Sequence, residues 1–324
     1  MELIQKETDL IIDDNRVVKQ ASPFIGANTE KVTLEHLRDD CVVPVFSKDN
    51  EVTISHYQFI DRTIEAINTF FPSKIEPNPD IRVSHIIKGR VPTAIGKPVK
   101  ELLEHEKTIY YERCAFLIEL PNVSKEINGN KLNLSIGGVR AYNQENLYSK
   151  KSLERFKLFI GFKNKVCTNL CVSTDGISTN IRIGSINELE MEARTLFESY
   201  DAEKHLETLE MMQDYSISEE QFGHLTGKMR MYQHMDKRDQ KKVFPMEITD
   251  GQINQVVKEY YNSQNFSRNG DGSINLWNFY NLLTGSNKSS YIDSFLERGL
   301  FAHEFVQDLC NSIKNGTPNW YLNN

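Results

Sequence analysis

The sequence predicts an α+β fold: an antiparallel β-sheet of about five strands over residues 108–184, packed by a long helix, with a helical C-terminal part. Three observations carry this reading. Residues 108–184 hold apolar runs with a period of two, separated by the short connections that antiparallel neighbours allow. Residues 187–213 then repeat Leu189, Ala193, Leu196 and Tyr200 at helical spacing, with acids on the opposite face. Finally, an apolar fraction of 39 % with 10 % aromatics supplies a core and excludes wholesale disorder.

Taken in order, residues 1–30 are polar and without a sustained period, so they are expected to form a flexible N-terminal arm. Phe59, Ile60, Ile64, Ile67 and Phe71 recur at helical spacing and Pro72 closes that run. Prolines at 72, 77, 79, 92 and 98 make the next stretch a connector. Strands are predicted at 108–120 and 131–139 around an Asn128-Gly129 turn, then at 155–162, 165–173 and 179–184. Further helices are expected at 218–235, 249–262, 274–284 and 289–313. The division follows: an arm (1–30), an α+β core domain (31–235) and a helical C-terminal subdomain (236–324), with 236–248 and its Pro245 as linker.

The net charge of −7 conceals a separation of charge. Residues 186–220 carry eleven acids and two bases. Two runs are basic: 149–165 has six cations against Glu154, and 228–242 has six against Asp236 and Asp239. Local stripes, rather than net charge, make a polyanion footprint. In the first run Phe156, Leu158, Ile160 and Phe162 alternate with Arg155, Lys157 and Phe159. A three-residue loop at 163–165 would set Phe162 opposite Val166, bury the first set and leave Phe159 outward among cations. That surface is the expected nucleic-acid site: Lys150, Lys151, Arg155, Lys157, Lys163 and Lys165 neutralise phosphates, Phe159 stacks a base, and Arg140 and Tyr142 extend the stripe.

Other chemistries find little support. On the predicted strand 165–173, Cys167 and Cys171 would lie about 13 Å apart, too far for one zinc or a disulfide. The segment 267–278 follows a calcium loop at Asn269, Asp271, Gly272 and Ile274, but Ser267 and Asn278 replace its first and last carboxylates, so it reads as a turn that starts a helix. Gly223–Met229 is one residue short of a phosphate loop, and Gly137-Gly138 lacks the third glycine of a dinucleotide site. Asp49, Asn50, Glu51 and His56 form a polar cluster that cap chemistry explains as well as catalysis does. No metal, no cofactor and no catalytic residue is therefore assigned. Five scattered cysteines and the lack of any run near the ~20 apolar residues of a membrane span point to a reduced, cytoplasmic protein with no membrane partner.

The blocks VVPVFSKDNEVTISHYQFI (42–60), IRVSHIIKGRVP (81–92), YYERCAFLIELP (110–121), GGVRAYNQENLYSKKS (137–152), FIGFKNKVCTNLCVSTDG (159–176) and INLWNFYNLLTGSNKSSYIDSFLER (274–298) resemble a bacterial, Bacteroidetes-type family carrying a domain-of-unknown-function label. More distantly, the Cys-Thr-Asn-Leu run (167–170) and the helix 276–284 are similar to a phage/plasmid-like protein family. The resemblance implies a mobile-element setting and supplies no catalytic residue. The expected function is non-catalytic binding of single-stranded DNA or RNA in mobile-element maintenance or recombination. The alternative is a regulatory factor whose acidic segment 186–220 meets a protein partner.

Overall fold

A computed structural model describes residues 11–13, 16–18, 22–43, 53–71, 78–94, 96–145 and 153–322. Its centre is a six-stranded antiparallel sheet whose strands follow one another in chain order: β1 (Glu30–Val32), β2 (Asp80–Val83), β3 (Arg113–Ile127), β4 (Asn130–Ala141), β5 (Glu154–Asn164) and β6 (Leu170–Ile183). The long hairpins β3–β4 and β5–β6 form four of these strands, and the short β1 and β2 complete one edge. Asn128 and Gly129 both have positive φ, 47° and 70°, as the predicted two-residue turn requires. Three details differ from the sequence reading. Residues 107–111 leave the sheet to pair with Ile86–Arg90, inside the proline-rich stretch expected to be a connector. The two strands predicted at 165–173 and 179–184 are one strand, interrupted by bulges. The hairpin loop has four residues, 165–168, inside the Asn164–Asn169 pair: Asn164 Oδ1 accepts the Val166 N–H at 2.9 Å and Asn164 N–H donates to the Asn169 carbonyl, so Phe162 pairs with Cys171.

Among the described residues, seven helices of twelve residues or more follow the pattern of apolar spacing: α1 (His56–Phe70), α2 (Ile186–Ser199), α3 (Ala202–Asp214), α4 (Glu219–Tyr232), α5 (Asp250–Asn262), α6 (Leu276–Asn287) and α7 (Phe295–Asn315). The predicted long helix 187–213 is two, broken at Tyr200 because Asp201 caps α3 by accepting the Lys204 N–H. Ser55, Ser218 and Thr249 start α1, α4 and α5 with reciprocal caps to Gln58, Gln221 and Gln252. Segment 267–278 is the turn that leads into α6: Asn275 Oδ1 accepts the Asn278 N–H at 2.7 Å, and Asp271 holds Ser273.

Both faces of the sheet are covered. Phe116, Ile118, Ile136, Phe156, Leu158, Ile160 and Phe162 belong to the main apolar cluster, which also takes in residues of all seven helices and runs from Leu37 to Leu322, across position 236. A second cluster gathers Ala115, Leu117, Val139, Phe159, Leu170 and Val172 on the other face under Phe24, Ile25, Ile292, Phe295 and Leu296. Phe24 and Ile25 thus make the end of the expected arm part of the core. The glycine pair Gly137-Gly138 serves this double burial. A Cβ at Gly137 would lie 2.6 Å from the Phe159 ring, and one at Gly138 would lie 2.4 Å from that of Phe59 on the opposite face. No helix among the described residues is long and apolar enough to cross a membrane.

Candidate nucleic-acid interface

The alternation read from β5 holds, but the face it assigned to nucleic acid is closed. Phe159 is 1 % exposed: its strand partners place it outward from Leu158, and the start of α7 together with Phe24 covers it. The cations beside it are engaged by the chain itself. Lys157 Nζ reaches Glu297 and the Asp293 carbonyl, both from the covering segment. Lys163 and Lys165 converge on the two oxygens of Glu119 at 2.6 and 3.0 Å. Burial pushes the Glu119 carboxyl up, but these lysines and the Asn133 amide outweigh it and hold the group below its ordinary range. Arg155 is exposed, with no carboxylate within 4 Å among the described residues. Lys150 and Lys151 lie outside the described residues.

Arg140 and Tyr142 are also interior. Arg140 bridges Glu145, Glu154 and the Ile54 carbonyl while its guanidinium lies 4.4 Å from the Tyr142 ring and 4.3 Å from that of Phe156. Tyr142 donates to the same Ile54 carbonyl at 3.2 Å, so this network fixes the chain entering α1. Burial raises the Glu154 carboxyl despite Arg140 beside it. His56 is buried in the same region, donates from Nε2 to the Tyr111 carbonyl at 2.8 Å, and is driven down to about 3 by burial and then by Arg140. Asp49, Asn50 and Glu51 lie outside the described residues.

The second basic run is open. α4 ends at Tyr232, and the chain then turns through the short helix Lys237–Gln240, where Gln240 Nε2 ties back to the Tyr232 and Met235 carbonyls. Lys237, Arg238 and Lys241 are exposed, with no carboxylate within 4 Å among the described residues; Lys242 pairs with Asp239 at 2.7 Å, both largely exposed. Arg230 is 4.0 Å from Asp250, a pair of little weight at the surface. Lys228 Nζ lies 4.4 Å over the half-buried Trp320 ring. Trp320 is placed by its neighbour: buried Tyr321 donates to the Phe244 carbonyl at 2.7 Å and packs on Phe305. Sequence reading found these cations but not Trp320, because the contact that brings it there joins residues 77 apart.

No curated protein and no solved structure matches the chain. One family model does, over residues 5–322, a Bacteroidetes-type domain in keeping with the resemblance of the sequence blocks. The chain belongs to this family, described as "Domain of unknown function, B. Theta Gene description".

Proposed function

We propose that the protein binds single-stranded nucleic acid without acting on it, in the maintenance or recombination of a mobile element, and that the rim formed by residues 228–242 and Trp320 makes the contact. The observation that carries this is a basic run with Lys237, Arg238 and Lys241 exposed and without carboxylate partners among the described residues, whose Lys228 also holds the Trp320 ring. Cations that track phosphates and an aromatic face that stacks a base are the two parts of a sequence-tolerant single-strand site. A partner protein on the acidic segment is the second reading. It is favoured by a shallow cleft lined by Glu126, Glu207, Glu210 and Asp214.

Oligo-dT binding to the full chain, followed by fluorescence anisotropy over a salt series, tests the first reading. Three to four phosphate contacts give a log–log slope of about −2 to −3, and the triple change Lys237→Ala, Arg238→Ala, Lys241→Ala should reduce it by about 2. No binding at low salt, or a slope unaltered by the triple change, would remove the proposal. Retention of a basic protein that is lost on reversing Glu207 and Glu210 would favour the second reading.

A further inference from the structure

The loop that closes hairpin β5–β6 meets the C-terminal end of α6 in a polar cleft of about 320 Å³. The hairpin loop beside it is strained. Thr168 has φ +59°, a left-handed conformation that a β-branched residue rarely adopts. The surrounding groups hold it there: Thr168 Oγ1 lies 2.6 Å from the Ser22 carbonyl, and Lys288 Nζ donates to Oγ1 at 2.8 Å. Lys288 Nζ also donates to the Cys167 carbonyl and to Ser22 Oγ, so the ammonium is used to fix backbone. Among the described residues it has no carboxylate within 4 Å, so this half-buried positive charge meets only neutral oxygens at the cleft.

Beside it, Asn169 is 2 % exposed and donates its amide to the Asn281 carbonyl at 2.9 Å and Oδ1 at 3.4 Å. The Asn281 oxygen takes further donors from Asn164 and Cys167. Asn169 lines the cleft, and its buried Oδ1 finds no hydrogen-bond partner among the described residues. A buried amide oxygen in this state costs about 1–3 kcal/mol unless a ligand or water donates to it. Phe266 contributes a buried apolar wall, and the Gln255 and Asn265 amides stand nearer the mouth with Glu259.

An acceptor awaiting an N–H, an aromatic wall, amides and a cation that meets only neutral oxygens together specify a flat, hydrogen-bonding, anionic ligand of modest size. We infer that this cleft binds a nucleoside 5′-monophosphate, with the base edge donating to Asn169 Oδ1 against Phe266 and the phosphate facing Lys288. Burial brings the Lys288 ammonium down to about 8, so a bound phosphate would also stabilise its charged form. The site needs none of the exposed cations of residues 228–242.

The test is thermal shift and titration calorimetry of the full chain with the four deoxynucleoside monophosphates, with ribose 5-phosphate and inorganic phosphate as controls. At least one nucleotide should raise the melting temperature and bind about tenfold or more tightly than ribose 5-phosphate. Asn169→Ala should abolish the difference. Because Asn169 is buried, the exposed change Asn265→Trp gives a second arm, which should block binding while the unliganded melting temperature stays the same. The triple alanine change at 237, 238 and 241 should leave nucleotide binding intact, which separates this site from the proposed strand-binding rim. Competition by 5′-phosphorylated oligo-dT would identify a strand end as the source of the nucleotide, and its absence would identify the free nucleotide. Equal binding of ribose 5-phosphate, no shift at millimolar nucleotide, or undiminished binding to Asn265→Trp would overturn the inference.

Discussion

The two basic runs of this chain have the same number of cations and opposite fates. In residues 149–165 the sheet places the described lysines beside Glu119 and Glu297, and a second apolar layer covers the aromatic residue between them. In residues 228–242 a helix end and a one-turn helix leave Lys237, Arg238 and Lys241 at the surface with solvent as their main partner. The difference teaches that charge density along a sequence does not decide availability. A strand delivers alternate residues to both faces of a sheet, and whether the polar face stays open depends on what distant segments dock there. Here residues 22–25 and 292–297 do so, more than a hundred positions away from β5 in either direction.

The largest expected effect tests that burial. Phe159→Ala should destabilise the protein by about 3–5 kcal/mol and Leu158→Ala by about 2–5 kcal/mol, measured by denaturant unfolding, because the two side chains fill opposite clusters. A Phe159→Ala loss of under about 0.5 kcal/mol would instead mark an exposed ring and reopen the sheet face.

The junction between sheet and helices should respond to acid. His56, His205 and His303 are all held neutral by burial, His56 at about 3, His303 at about 4 and His205 well below its ordinary value, with the second histidine adding to the effect on His205. The unfolded chain takes up protons near pH 6.5 that the folded chain refuses, so the stability these groups contribute is complete above that pH and is lost as pH falls toward 4. Each contributes a slope of up to about 1.4 kcal/mol per pH unit in that window. Melting temperatures between pH 7 and 5 should fall, and less steeply in His303→Gln. A flat profile would mean that these rings are accessible to protons.

A smaller effect separates stability from binding on the closed face. Glu119→Ala leaves Lys163 buried without its carboxylate and should cost about 1–3 kcal/mol. It also frees Lys163 and Lys165, yet oligo-dT affinity at fixed salt should stay within about twofold, since the contact is assigned to the other run. A clear gain in affinity would return the sheet face to consideration.

Much of the fold was legible in the sequence. The alternation in β3–β5, the Asn128-Gly129 turn and the helical spacing of α1, α4, α5, α6 and α7 are local signals, and they locate these elements, although β3 and α7 begin several residues later than expected. What failed lies outside the apolar pattern. The loop at 165–168 depends on the Asn164 side chain and a strained Thr168, which no hydrophobic pattern encodes. The break at Tyr200 lies within an unbroken apolar period, and only the Asp201 cap marks it. Of the expected site residues, Arg140 and Tyr142 proved to be interior because the Glu145 and Glu154 carboxylates and the Ile54 carbonyl are brought around them by separate strands and turns. Trp320 could not be paired with Lys228 from spacing at all.

Photo-crosslinking of the full chain to oligo-dT carrying 5-bromodeoxyuridine, followed by mass spectrometry of the joined peptide, tests the central comparison most directly. Attachment is expected at or next to Trp320, with loss of the crosslink in the triple alanine variant. Attachment within residues 155–165 at native stability would contradict it.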